Sequence, residues 1–182
     1  MAYLLKLDEG ILLFFQQYIR QDWMDGFWKF ITFLGNYGWF WIALSAVLLI
    51  SSRTRKAGAA ALTALLIGAL LTNVILKDLI ARIRPYEVVE GLRLIIEEQH
   101  DYSFPSGHTC ASFAAALTFY KIFPRCWGVP AVILAVLIAI SRLYVGVHYP
   151  SDVLGGLLVG IFASWAALRL VKYVEERKKK AS

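Results

Sequence analysis

The sequence predicts an all-α fold: a polytopic membrane bundle of about five transmembrane helices, or six if the first 35 residues hold another, with amphipathic helices at the N-terminus. Three observations predict it. The 182 residues are 59% hydrophobic, with a mean hydropathy of +0.59. Several mostly apolar runs follow one another, each approaching the ~20 residues that a bilayer-spanning helix needs. Charge gathers at the ends of those runs and in the tail Arg177-Lys178-Lys179-Lys180. One membrane domain over 1–182 accounts for the chain, with interfacial helices over 1–36, a transmembrane core over 37–173 and a basic tail over 174–182.

The elements follow in order. Residues 3–20 and 22–35 alternate apolar with polar side chains, and Leu4, Leu5, Leu12, Phe15 and Ile31 make apolar faces suited to helices lying in the interface. Trp23, Trp28, Trp39 and Trp41 fit an aromatic belt at that level. The first span covers about 37–50 and stops at Arg53, Arg55 and Lys56. The second runs over 57–76 to Lys77, and a polar segment over 78–104 follows. A third span over 106–123 carries the small residues Ala111, Ala114, Ala115 and Ala116, which favour close helix packing. Pro124, Arg125 and Gly128 read as a turn. The fourth span covers about 129–147 and the fifth about 152–173. Gly156 and Gly160 in the fifth have the small-xxx-small spacing, which serves internal packing as readily as dimerisation.

The net charge of +6 would raise nucleic acid as a partner for a soluble protein. Its placement at span ends reads as membrane topology instead, so membrane lipids and no nucleic acid are expected. With five spans, Arg53/Arg55/Lys56, Lys121/Arg125 and the tail share one side, which the positive-inside rule makes cytoplasmic. The 78–104 segment and the turn over 148–152 then lie outside. No cleavable signal peptide is expected in the first 20 residues. Cys110 and Cys126, placed near opposite ends of one helix, are too far apart to bridge and read as packing residues.

Three polar segments fall on that outer side. In Lys77-Asp78-Leu79-Ile80-Ala81-Arg82-Ile83-Arg84-Pro85, a helix continued past Lys77 would bring Lys77 and Arg84 to nearly the same face, with Pro85 as its stop. Two cations there can hold a phosphate, and the guanidinium fork matches its oxygens. In Phe104-Pro105-Ser106-Gly107-His108, a helix begins after Pro105, so its free N–H groups make an anion site. Ser106 can cap that helix, Gly107 lets a ligand approach the backbone, and His108 can give a proton to a leaving oxygen. In the segment from Ser141 to Asp152, Arg142 ends a span, His148 precedes the turn, and Asp152 can hold one imidazole nitrogen and leave the other as a nucleophile.

Taken singly, Lys77 is a snorkelling helix-end lysine, Arg84 a headgroup anchor and Ser106 an N-cap. Arg142 resists that treatment, because an unpaired charge within an apolar run is costly. His100 is expected to be a loop residue. Asp78 and Arg82 read as local pairing or mouth-lining groups, and Glu97, Glu98 and Asp101 as a solvated loop face. Leu92, Leu94, Ile95 and Ile96 are expected to dip into lipid as part of a substrate gate.

The three segments resemble the signature of the type-2 phosphatidic acid phosphatase superfamily: K-x6-R-P, P-S-G-H and S-R-x5-H-x3-D, in that order and with every position filled between Lys77 and Asp152. The resemblance implies a nucleophile at His148 that becomes phosphohistidine, Asp152 to orient it, and His108 as the acid for the leaving group. It implies that Lys77, Arg84 and Arg142 hold the phosphoryl oxygens, with help from Ser106 and the Gly107 N–H. It implies hydrolysis of a lipid phosphate or diphosphate, with no metal and no cofactor. Undecaprenyl diphosphate leads the candidate substrates, with phosphatidylglycerophosphate and phosphatidate beside it. A phosphotransferase using the same histidine and a catalytically silent lipid-binding protein are the alternatives. The oligomeric state is left open.

Overall fold

The computed structural model describes residues 2–181, with side chains from Leu5 to Lys180; the Leu4 side chain, placed on an apolar face above, lies outside that set. Every regular element among the described residues is helical. Helix α1 (Ala2–Phe14) continues as a π-helical stretch over Phe15–Ile19, and α2 (Asp22–Leu34) follows. Tyr37 and Gly38 adopt left-handed backbone angles, φ 51° and 68°, and turn the chain into α3 (Trp39–Ile50). The pair α2–α3 is bent by 45° at this break.

Next come α4 (Arg55–Ala69), a π-helical stretch over Leu70–Leu76 and the short α5 (Lys77–Ile80), which run on as one rod. Ala81 then enters the left-handed region at φ 47° and ends the rod. A single turn, α6 (Pro85–Val88), starts on its proline, whose fixed φ suits a first helical position. The chain then runs irregularly to Ser106, where α7 (Gly107–Ile122) begins. α8 (Arg125–Tyr144) and α9 (Pro150–Ala181) complete the chain.

Three stretches are long and apolar enough to cross a membrane, Arg55–Val88, Arg125–Tyr144 and Pro150–Lys180, and the bent pair α2–α3 makes a fourth if counted as one span. α7 has 16 residues, about 24 Å of helix at 1.5 Å per residue, against ~30 Å of hydrocarbon. It sits at the centre, packed on α4, α8 and α9, so those neighbours flank it along its length. Ala114, Ala115 and Ala116 are fully buried, which lets those neighbours close on it. Gly156 and Gly160 of α9 face α7: a Cβ at Gly160 would stand 2.8 Å from the Cys110 carbonyl oxygen, and one at Gly156 2.5 Å from that of Ser106. The small-xxx-small spacing therefore serves internal packing.

Several expectations are corrected here. Trp41 is fully buried and donates to Ser112 Oγ at 3.0 Å. Trp28 is buried and stacks on Tyr144 at 5.2 Å between centroids. These two are core residues, because each finds a packing partner inside, while Trp23 and Trp39 remain exposed. Arg125 and Gly128 belong to α8, and the turn is only Phe123–Pro124. Cys110 therefore lies in α7 and Cys126 in α8; Cys110 is buried, while Cys126 is exposed and fills no packing position. Leu94, Ile95 and Ile96, half-buried, pack on Trp28, Tyr144, Val145 and Val147, and Leu92 packs beside Leu12, Val89 and Tyr149.

Candidate active site

The three motif segments meet at one end of the bundle, where α5 ends, α7 begins and α8 turns into α9. Lys77 and Arg84 do converge, but not by helical periodicity. The helix stops at Ile80, Ala81 reverses the backbone, and Arg84 lies in extended chain at φ −75°, ψ 149°. Both cations are buried and both pair with the carboxylate of Asp101, Lys77 on Oδ2 and Arg84 on Oδ1. Arg84 also donates from Nε to the Asp101 carbonyl at 2.7 Å and from Nη1 to the Val147 carbonyl at 2.9 Å. Burial works to raise the Asp101 carboxyl, but the hydrogen bond and charge of Lys77, joined by Arg84, hold it at about 2. Asp101, expected on a solvated loop face, is thus an anion lodged between two phosphate-binding candidates.

Ser106 caps α7, its Oγ accepting from Thr109 N at 3.4 Å and from Thr109 Oγ1 at 3.0 Å. Gly107 follows, with Asn73 Oδ1 3.4 Å and Lys77 Nζ 4.0 Å from where a Cβ would stand. His108 Nε2 lies 2.9 Å from Asn36 Oδ1 in the bend between α2 and α3. Arg142 reaches in from the last turn of α8, buried, with Nη1 donating to Thr32 Oγ1 at 2.5 Å. Its Nε has no hydrogen-bond partner among the described residues. A buried guanidinium with an idle donor is costly unless an anion completes it.

His148 lies in the turn after α8, 1% exposed, with Nδ1 3.4 Å from Asp152 Oδ2. The pair is within ion-pair range without a formed hydrogen bond, and Nδ1 has no other partner among the described residues. Such bonds are often loose before substrate arrives. Burial pushes the His148 imidazole down to about 4, opposed by Asp152 and reinforced by Arg84 and Arg142. The ring is therefore neutral at pH 7, as a nucleophile must be. Asp152 is itself held from all sides: Oδ2 accepts from Ser103 Oγ at 2.5 Å and Tyr149 N at 2.9 Å, and Oδ1 accepts from Arg82 Nη1 at 2.7 Å.

A cavity of about 670 Å³ gathers Lys77, Arg84, Gly107, His108, Arg142 and His148 on its wall. It continues past Thr72 and Asn73 to the apolar side chains of Ile42, Leu62, Leu65 and Leu66. Among the described residues, no three His, Cys, Asp or Glu side chains gather where one metal ion could sit. Asp101, Asn36, Thr32, Ser103 and Asp8 touch the site and were not read from the sequence as part of it, and Arg82, read as a local pairing or mouth-lining group, reaches Asp152. Only Arg82 carried a signal, a second arginine inside the first motif. Asp8 was visible only as an acid on an otherwise apolar helix face, and the rest as ordinary polar loop or helix residues.

Residues 57–176 match the PAP2 superfamily. An undecaprenyl-diphosphatase of Sulfolobus acidocaldarius is 35% identical over 156 residues, 82% of this chain and 75% of that protein. The crystal structure of a transmembrane PAP2-type phosphatidylglycerolphosphate phosphatase from Bacillus subtilis superposes with a TM-score of 0.74 at 30% identity, covering 97% of this chain and 88% of that one. Aquifex aeolicus LpxE superposes with a TM-score of 0.75 at 28% identity, covering 91% and 94%. With the family match over most of its length, a relative of this similarity and the same helical architecture, the chain belongs to the PAP2 superfamily of lipid phosphatases.

Proposed function

We propose that this protein is a metal-independent lipid phosphate or diphosphate phosphatase acting through a phosphohistidine at His148, with undecaprenyl diphosphate as its leading substrate. Phosphatidylglycerophosphate and phosphatidate are the close rivals. One observation carries the reading: three buried or nearly buried cations and two histidines share a cavity whose far wall is apolar. A phosphate fits the first part and a hydrocarbon chain the second. The Sulfolobus relative, named for the diphosphate of undecaprenol, supports the order of substrates.

In the proposed reaction, Lys77, Arg84 and Arg142 take the phosphoryl oxygens, and the substrate phosphate displaces Asp101. The Arg142 Nε donor and the first N–H groups of α7 are then filled by oxygen. Pre-placed positive charge of this kind supplies most transition-state stabilisation in phosphoryl transfer. With Nδ1 turned toward Asp152, the Nε2 lone pair of His148 attacks phosphorus. The bond from phosphorus to the leaving oxygen breaks, and protonated His108 gives that oxygen its proton. In the second half, His108 takes a proton from water, the hydroxide oxygen bonds to phosphorus, and the P–N bond breaks. Phosphate leaves, and both histidines return to their starting forms.

The membrane reading extends to five crossings, by α2–α3, α4–α5, α7, α8 and α9, with the site on the extracytoplasmic side of the plasma membrane. The basic groups support it, because Arg53, Arg55, Lys56, Lys121, Arg125 and the tail all lie at the end of the bundle away from the site. The Lys56–Glu175 ion pair of 2.8 Å ties two of those clusters together.

The test is phosphate release by detergent-purified protein in EDTA across a panel of lipid phosphates and diphosphates, with His148→Ala alongside. Release that survives EDTA and disappears in the variant is expected. Activity that needs added metal, or that persists without His148, would overturn the mechanism. A phosphorylated acceptor in place of free phosphate would make the protein a transferase.

A further inference from the structure

Arg82 stands apart from the other cations of the site. Lys77, Arg84 and Arg142 line the catalytic cavity, and Arg82 does not. Its Nη1 donates to Asp152 Oδ1 at 2.7 Å and to Ser151 Oγ at 2.6 Å, and its Nη2 to Asp8 Oδ2 at 2.7 Å. The guanidinium lies over the Tyr149 ring, 3.8 Å from its centroid. Asp8 is buried on α1 and binds the same segment twice more, accepting from Ser151 N at 3.0 Å and Ser151 Oγ at 2.5 Å. An acid from the N-terminal helix, 8% exposed at its side chain, is therefore brought to the group that orients the nucleophile.

We propose that Arg82 and Asp8 are a positioning pair: Arg82 locks the Asp152 carboxylate in the rotamer and charge state that aim His148, and Asp8 holds Arg82 there. The proposal rests on the phosphohistidine reading. Ser103, Tyr149 N and His148 all address the single oxygen Oδ2 of Asp152, so the plane of the carboxylate is set by what holds the other oxygen. Arg82 supplies the only side-chain hydrogen bond to Oδ1 among the described residues. Asp8 partly neutralises Arg82 and keeps its fork directed at Asp152 and away from the phosphate. The amphipathic N-terminal helix thereby becomes part of the catalytic apparatus, at two removes from phosphorus. Groups that orient metal ligands from behind contribute about 10- to 100-fold, and a pair that orients the partner of a nucleophile is expected to act on the same scale.

The test uses the full-length protein in detergent with one lipid diphosphate and compares Arg82→Gln, Arg82→Lys and Asp8→Asn with wild type. kcat is expected to fall by roughly 10- to 100-fold in Arg82→Gln and Asp8→Asn, with KM within about 3-fold. Arg82→Lys, which keeps the charge but not the fork, regains part of the loss. The acidic limb of the pH–rate profile is expected to move to higher pH in Arg82→Gln. Without that cation both Asp152 and His148 accept a proton more readily; Ser103, Tyr149, Arg84, Arg142 and His108 remain around them, and the Asp8 anion, held on Ser151 and left without its cation, adds to the same direction. Gln16→Ala is the control. Gln16 also ties the N-terminal segment to the loop, donating to Gly91 O at 2.8 Å and accepting from Arg93 N at 2.6 Å, without touching Asp152. It should lower the melting temperature and leave the pH profile in place.

Unchanged pH profiles in both Arg82→Gln and Asp8→Asn would overturn the proposal, as would a loss reproduced by Gln16→Ala. A rise in KM at constant kcat would also do so, by making Arg82 a phosphate ligand. Wild-type activity independent of His148 would instead remove the phosphohistidine reading beneath it. Asp8→Asn deletes a charge and no heavy atom, so it carries the test alone should Arg82→Gln fail to fold.

Discussion

His148 sits in a turn, yet burial pushes its imidazole to about 4, against the pull of Asp152. The unfolded chain holds the same group near ~6.5, so between those values the unfolded state binds the proton and the folded state does not. Stability present above ~6.5 is lost as pH falls toward 4. The melting temperature of wild type should drop more between pH 7 and pH 4.5 than that of His148→Gln, which lacks this titration; equal drops in differential scanning fluorimetry would contradict it. Asp101 behaves oppositely. Held at about 2 by Lys77 and Arg84 once their pull outweighs its burial, it stays an anion through the working range, and in the proposed mechanism phosphate must displace it at every such pH. Asp101→Asn should therefore lower the inhibition constant of inorganic phosphate by on the order of 5-fold, the most that a half-exposed pair of about 1 kcal/mol gives. An unchanged or higher constant would mean that Asp101 holds the two cations in place without competing. That His148, Asp152 and Arg142 belong together was legible because such residue types at such spacing are rare inside apolar runs. Asp101 was not, because nothing in the sequence sets this half-exposed loop acid, beside Glu97 and Glu98, against both Lys77 and Arg84.

Helix α7 carries Ser106, Gly107 and His108 at its N-terminus, so whatever seats α7 also seats the anion site. α9 seats it through two glycines. A Cβ at Gly156 would meet the Ser106 carbonyl oxygen at 2.5 Å and Thr109 Cβ at 3.0 Å, neither of them the end of a flexible side chain. Gly156→Ala should thus cost about 1–3 kcal/mol by overpacking and lower kcat as well, because the atoms displaced are those of the cap. Gly10→Ala, with open space around its Cβ, should leave activity intact and stabilise α1 by up to about 1 kcal/mol. Parallel melting curves and rates would check both, and full activity in Gly156→Ala would show that the cap tolerates movement. Elements were legible where they are long and apolar: α3, α4 and α8 lie within a few residues of the runs that suggested them. The route from Lys77 to Arg84 was not. Periodicity offers a continued helix, and the chain instead breaks at Ala81 in a left-handed conformation that an alanine does not advertise. The same two residues meet, by a different path.

At the scale of the molecule, the cavity joins a charged end to an apolar flank, and its apolar wall reaches the surface at Ile42 and Leu66, 45% and 60% exposed. Hydropathy alone could suggest that a chain-bearing substrate lies among the helices, but not between which ones. The opening lies on α3 and α4, and Leu66→Trp should lower kcat/KM for a long-chain lipid phosphate while sparing a short, water-soluble phosphate ester. Equal losses for both would place the lipid elsewhere. The direction in which the site faces rests on charge placement, and the chain carries its own reporter for it. Cys126 is exposed at the start of α8, beside the basic end, and Cys110 is buried and silent. Glu90 is exposed in the loop at the site end. If the basic end is cytoplasmic, an impermeant maleimide applied to intact cells should leave wild type unlabelled and should label Glu90→Cys, with Cys126 reacting only after the membrane is opened. The reverse pattern would turn the bundle over without altering its chemistry, and the protein would then draw its lipid from the inner leaflet.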